Sequence, residues 1–149
     1  MNLRPLLVCC TLPLLQACAL GQIGAVVHPT VNGTLLVRGA DGAQRQWTPE
    51  HCASGDLDYF LGLDFSSVPD GQRLRAIREP TGETLVLWTT PASTTATLRA
   101  TDCAELRLDI QPTGWRVNEV REFAGALRLR CQLPDGGAIE GSVSVDHCH

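Results

Sequence analysis

Histidine and cysteine stand side by side twice, as His51-Cys52 and as His147-Cys148-His149. Imidazoles and thiolates are zinc ligands, but zinc needs them to converge tetrahedrally, and neighbouring strand residues point to opposite faces. In an oxidising compartment disulfides compete for the same thiols, so neither a metal site nor a cofactor is expected. Ser142, Asp146 and His147 have the identities of a hydrolytic triad. On a strand, however, Ser142 and Asp146 share a face that His147 does not, and the chain has no Gly-x-Ser-x-Gly elbow. Asp56 and Asp58 open an acidic stretch that runs to Asp64 but lacks the third ligand, turn glycine and closing Glu of a calcium loop. Surface solvation accounts for these three. Arg73, Arg75 and Arg78, like Arg128 and Arg130, read as strand residues that face solvent or pair with nearby carboxylates. Phosphate-cradling glycine loops and paired-cysteine redox motifs are missing from the sequence. No catalytic residue is assigned.

The chain that must position these residues has 149 of them, with 12 Arg, no Lys and 16 acidic side chains, for a formal charge of −4. A negative balance argues against a nucleic-acid partner. At 44% hydrophobic content, this length supports one domain. Nine Pro, 14 Gly and seven Cys spread among short apolar runs point to a small loop-rich fold from an oxidising compartment.

Alternation with period two dominates from residue 31 onward. Leu106, Leu108 and Ile110 alternate with Arg107, Asp109 and Gln111, as in a half-buried strand. Tyr59, Leu61, Leu63 and Phe65 would share a face, and Leu85, Leu87 and Trp88 lie in a run of β-formers that ends at Pro91. No stretch of ten residues carries a helical stripe. Turn signals recur at Asp41-Gly42, Pro69-Asp70-Gly71, Pro80-Thr81-Gly82, Pro112-Thr113-Gly114 and Pro134-Asp135-Gly136-Gly137. Asn32-Gly33 reads as a further turn, and the Thr-rich stretch from Thr89 to Thr101 as a solvated connection running into a strand. The pattern predicts an all-β antiparallel sandwich or barrel.

In the last hairpin, Leu127, Leu129, Leu133, Ile139, Val143 and Val145 all occupy odd positions. A three-residue loop from Asp135 to Gly137 keeps them on one face, pairing Leu133 with Ile139, Leu129 with Val143 and Leu127 with Val145. Cys131 would then face Gly141, and Cys148, seven residues further on, would point to the other side. Trp47, Trp88 and Trp115 are expected in or at the edge of the core, with a two-residue Asp41-Gly42 turn placing Trp47 opposite Leu36.

The first twenty residues are different. Arg4 precedes an apolar run from Leu6 to Leu15 that is interrupted by Thr11 and Pro13, the layout of a signal peptide. The run is roughly half the ~20 residues a spanning helix needs. It ends Leu15-Gln16-Ala17-Cys18, which resembles the lipobox of bacterial lipoproteins. The resemblance covers these four residues and the preceding apolar run. It implies cleavage before Cys18, a diacylglyceryl group on the Cys18 thiol and acylation of its new amine. It further implies anchorage in a membrane of the cell envelope, the outer membrane being favoured by Ala19 rather than Asp after the lipidated residue. The competing reading is an ordinary secretory signal cut near Ala17-Cys18-Ala19. Parity opposes it, because Cys52, Cys103, Cys131 and Cys148 form an even set and a free Cys18 would leave an odd thiol. Cys9 and Cys10 fall in the leader as apolar filler.

The chain therefore divides into a leader over 1–17, a lipidated Cys18 with a short tether to residue 30, and one all-β domain over 31–149. Loss of Arg4 with the leader takes the formal charge from −4 to −5. Within the domain, the spacing disfavours a Cys131–Cys148 bond. Two connectivities survive: Cys52–Cys148 with Cys103–Cys131, or Cys52–Cys131 with Cys103–Cys148. The first is preferred because it ties the last strand back to an early loop. These features point to a lipid-anchored envelope protein acting in binding or assembly, with the membrane and another envelope protein as partners. A secreted or periplasmic small-ligand carrier or enzyme is the second reading.

Overall fold

A computed structural model describes residues 28–69 and 71–149. Ten strands run in chain order: β1 (Thr30–Arg38), β2 (Gln44–Trp47), β3 (His51–Ser54), β4 (Gly62–Ser67), β5 (Gln72–Arg78), β6 (Thr84–Thr89), β7 (Thr95–Leu98), β8 (Cys103–Val117), β9 (Val120–Gln132) and β10 (Ala138–Cys148). They form two five-stranded antiparallel sheets, ordered β2-β1-β10-β9-β8 and β3-β4-β5-β6-β7. Two short 3₁₀ turns, Gly55–Asp58 and Ala100–Asp102, are the other elements among the described residues. The all-β sandwich expected from the alternation is the fold.

The core lies between the sheets because each strand turns one parity inward. From the first sheet come Leu35, Val37, Leu108, Leu127, Leu129, Ile139, Val143 and Val145; from the second, Leu63, Phe65, Leu74, Ala76, Val86, Trp88 and Leu98. Trp47 and Trp88 meet edge to face at the centre, with ring centroids 5.0 Å apart. The edge strands β2, β3 and β7 have only four residues each. The long edge strand β8 instead carries Pro112 and two register irregularities, which blunt its unpaired side.

Two disulfides staple the sandwich. Cys52–Cys148 joins β3 to β10 and so ties one sheet to the other, while Cys103–Cys131 crosses the β8–β9 pair. This is the preferred connectivity. Cys148 reaches its partner differently from the expectation that it points away from the core. A bulge between Val145 and Cys148, with His147 left-handed at φ 57°, turns Cys148 back inward opposite Phe123.

Several local expectations are corrected by turn geometry. The last hairpin loop is Pro134–Gly136, not Asp135–Gly137: Gly136 N–H donates to Leu133 O (3.0 Å) and Leu133 N–H to Gly137 O (2.9 Å). The register therefore shifts by two, so that Leu127 faces Val143, Leu129 faces Gly141 and Cys131 faces Ile139. Parity is unchanged by a shift of two, so the alternation determines the apolar face while the loop determines the pairs. Likewise the first hairpin has a three-residue loop, Ala40–Gly42, and Trp47 faces Leu35 rather than Leu36, so both are buried. Asn32-Gly33 is no turn but lies within β1, where Gly33 faces Val143. Pro112-Thr113-Gly114 belongs to the irregular part of β8, and the chain reverses instead at Asn118 and Glu119, both left-handed. Tyr59 and Leu61 precede β4 and are exposed, leaving Leu63 and Phe65 as its core residues.

Candidate functional site

β10 ends at Cys148 opposite Phe123, but β8 and β9 continue past this point to the Asn118–Glu119 reversal. The overhanging ribbon has five residues on β8 (113–117) against three on β9 (120–122), so it projects roughly 10 Å at strand rise. A buried polar cluster sits at the root of the overhang. Glu122 is 3% exposed, and its Oε1 accepts the Thr113 hydroxyl at 2.5 Å and faces His147 Nδ1 at 3.0 Å. The β8 irregularity between Pro112 and Arg116 and the β10 bulge bring Thr113 and His147 to the same carboxylate. His149 Nδ1 lies 2.9 Å from the His147 carbonyl. Burial alone would push Glu122 upward. The Thr113 and His147 hydrogen bonds, with charge on His147 and His149, outweigh it and hold the carboxyl below its ordinary range.

A histidine oriented by a buried carboxylate has the arrangement of a general acid or base. Its other nitrogen, Nε2, lies 3.7 Å from Asp146 Oδ2. Ser142 is not brought to it: Ser142 faces Thr34 and Arg128, five residues or about 16 Å back along β10. Ser142, Asp146 and His147 therefore do not assemble into a triad. The cluster acts as a clasp, joining the ribbon's base on β8 and β9 to the end of β10.

The second polar cluster lies on the outer face of the second sheet. Asp64 accepts from Arg73 Nε at 2.6 Å and from Arg75 Nε at 2.9 Å, with a further Arg73 Nη2 contact. Arg75 also pairs with Asp58, and its guanidinium lies 4.7 Å over the Phe60 ring. Arg73 is held above its ordinary value, chiefly by the Asp64 hydrogen bond. These arginines do pair with neighbouring carboxylates as expected, but Asp64 is buried in the network rather than solvated at the surface. Arg78 donates instead to the Leu108 carbonyl. Arg128 and Arg130 are exposed on β9 and line a shallow groove with Glu105 and Glu140.

Cys52 and Cys148 are bonded to each other, and among the described residues no three His, Cys, Asp or Glu side chains group as metal ligands. Cys18, Cys9 and Cys10 lie outside the described residues, as does the tether before His28. No described helix is long and apolar enough to cross a membrane.

The overhang also corrects one tryptophan. Trp115 is 70% exposed on the ribbon rather than at the core edge. Beside the ribbon stands the loop that follows β3, fixed there by the Arg121 N–H donating to Asp56 Oδ2 at 2.9 Å. On that loop Leu57 is 61% exposed and Tyr59 98%, the latter left-handed at φ 61°. A bulky side chain in that conformation is strained and uncommon, and here no burial offsets the strain. Sequence reasoning found neither Glu122 nor this exposed group. The available signal was the interrupted alternation around Pro112-Thr113-Gly114, which marks a strand leaving its sheet.

No family model, curated protein or solved structure matches this chain.

Proposed function

We propose that this chain is a lipid-anchored protein of the bacterial cell envelope, held on the outer membrane through acyl chains on Cys18, whose sandwich serves in binding or assembly rather than catalysis. One observation carries the reading. Every cysteine after Cys18 is committed to a disulfide within the sandwich, Cys52 with Cys148 and Cys103 with Cys131. That supports a separate fate for the thiol that ends Leu15-Gln16-Ala17-Cys18. Two or three acyl chains, at about 0.8 kcal/mol per buried CH₂, make such an anchor effectively permanent. Metabolic labelling with palmitate, followed by mass spectrometry of the processed N-terminus, tests it. Label and acyl mass on Cys18 are expected, both lost in Cys18→Ala; a Cys18→Ala protein that partitions fully with membranes overturns the anchor.

The Glu122–His147 pair favours a second reading, an envelope enzyme or small-ligand carrier. Hydrolytic turnover or ligand binding by the purified protein, abolished by His147→Gln, would establish it. Neither is expected if the pair is a clasp.

A further inference from the structure

Five of the six exposed large apolar side chains of the described residues lie on two adjoining segments. Leu57, Tyr59, Leu61, Trp115 and Val117 belong to the 55–61 loop and the overhanging ribbon, while Val68 stands apart in the β4–β5 turn. The two segments adjoin through Asp56 and Arg121. The first strand also starts at this end, since Thr30 faces Asp146, two residues from the end of β10. The chain preceding Thr30 is therefore joined to the sandwich beside the ribbon and not at the opposite turns.

From these placements we propose that the ribbon and the 55–61 loop rest on the lipid surface, with Trp115 and Tyr59 at headgroup level. The proposal rests on the anchored reading above and adds the orientation of the domain. Twelve residue steps separate Cys18 from Thr30, at most about 40 Å when fully extended. An acyl anchor at Cys18 thus keeps this end of the sandwich within reach of the bilayer. The side chains suit that position. Trp and Tyr combine an apolar ring with a polar tip and concentrate at membrane–water boundaries. Arg116, next to Trp115 in sequence and donating to the Glu119 carbonyl, and its cross-strand partner Arg121 are exposed on the ribbon and are able to meet lipid phosphates. Of the nearby carboxylates, Asp56 accepts from the Arg121 N–H and Asp58 pairs with Arg75, while the exposed Glu119 at the ribbon tip is outnumbered by Arg116 and Arg121. Repulsion from anionic headgroups is reduced accordingly.

Processed, lipidated protein reconstituted into phosphatidylethanolamine–phosphatidylglycerol vesicles, with or without brominated acyl chains, provides the test. Flotation reports the anchor. Tryptophan emission reports the contact, because Trp47 and Trp88 are shielded in the core and Trp115 is not. Emission is expected to fall in brominated vesicles, the fall to vanish in Trp115→Phe, and to shrink in Leu57→Ser/Tyr59→Ser, which retains Trp115. These positions are exposed, so near-ultraviolet circular dichroism should be preserved in the variants. Protein that floats with equal emission in both vesicle types overturns the docking and leaves the anchor standing. A blue-shifted Trp115 emission without bromine quenching also overturns it, in favour of a protein covering the ribbon. Wild-type protein that does not float overturns the anchor and the docking together.

Discussion

Glu122, itself 3% exposed, keeps its charge because Thr113 and His147 supply the partners that water would otherwise provide. A carboxyl with a folded-state pKa below its unfolded value stabilises the fold above that unfolded value, near 4.3, and the contribution is lost as pH falls through the folded pKa. Glu122→Gln should therefore be less stable than the parent at neutral pH, with the gap closing as pH drops below about 4. Urea unfolding from pH 7 to pH 3 measures it; a pH-independent gap would contradict a stabilising carboxylate. The tryptophans give a second contrast at this scale. Trp88→Ala should cost about 3–5 kcal/mol by opening the centre of the core, whereas Trp115→Ala should change stability by no more than about 0.5 kcal/mol. Denaturant midpoints of the two variants check both values. Residue type could not separate these positions, since all three tryptophans sit in β-rich sequence. Trp47 and Trp88 were legible as core, and Trp115 was not, because its exposure depends on how far β8 outruns β10. Glu122 was hidden for the same reason, as its partners come from strands that approach only through two bulges.

At the scale of elements, the loops decide more than the strands. Four hairpins reuse one three-residue loop, closed by an i→i+3 backbone hydrogen bond and with its third residue left-handed: Gly42, Gly82, Ser93 and Gly136, with φ of 82°, 88°, 60° and 87°. Glycine occupies three of these because that region costs an L-residue roughly 1–2 kcal/mol. Ser93 is the exception, and it is exposed with its N–H donating to the Thr90 carbonyl at 2.9 Å. Ser93→Gly should then stabilise the protein by about 0.5–1 kcal/mol after glycine's own entropic cost. A raised urea midpoint with unchanged m-value is the expected reading, and a lowered midpoint would contradict the loop assignment. The shared loop form also explains what was readable from sequence. Strand existence and facing parity follow from alternation alone, as in Leu127, Leu129, Val143 and Val145. Register needs the loop length, and Pro134-Asp135-Gly136-Gly137 fits three residues starting at either Pro134 or Asp135 with the same parity. Only the left-handed Gly136 and its turn hydrogen bond choose between them.

At the scale of the whole molecule, the sheets are held by the core and by covalent closure, and the two disulfides close very different loops. Cys52–Cys148 spans 96 positions and joins the sheets, while Cys103–Cys131 spans 28 and lies within one. Loop-closure entropy assigns about 4.7 kcal/mol to the first and about 3.6 kcal/mol to the second. Their positions widen the difference. Without Cys103–Cys131 the β8–β9 ladder remains, but without Cys52–Cys148 the short edge strand β3 is left with only its β4 ladder and core contacts, and Cys148 is no longer tethered beside the His147 clasp. The paired Cys52→Ser/Cys148→Ser variant should therefore lose more stability than Cys103→Ser/Cys131→Ser. It should also expose the 55–61 loop to proteolysis first, because that loop follows directly from β3. Denaturant midpoints under oxidising conditions give the ordering, and limited proteolysis locates the opening. Equal losses would contradict the larger role of the bond between the sheets, and first cleavage at the β8–β9 reversal would place the weak point in the ribbon instead of between the sheets.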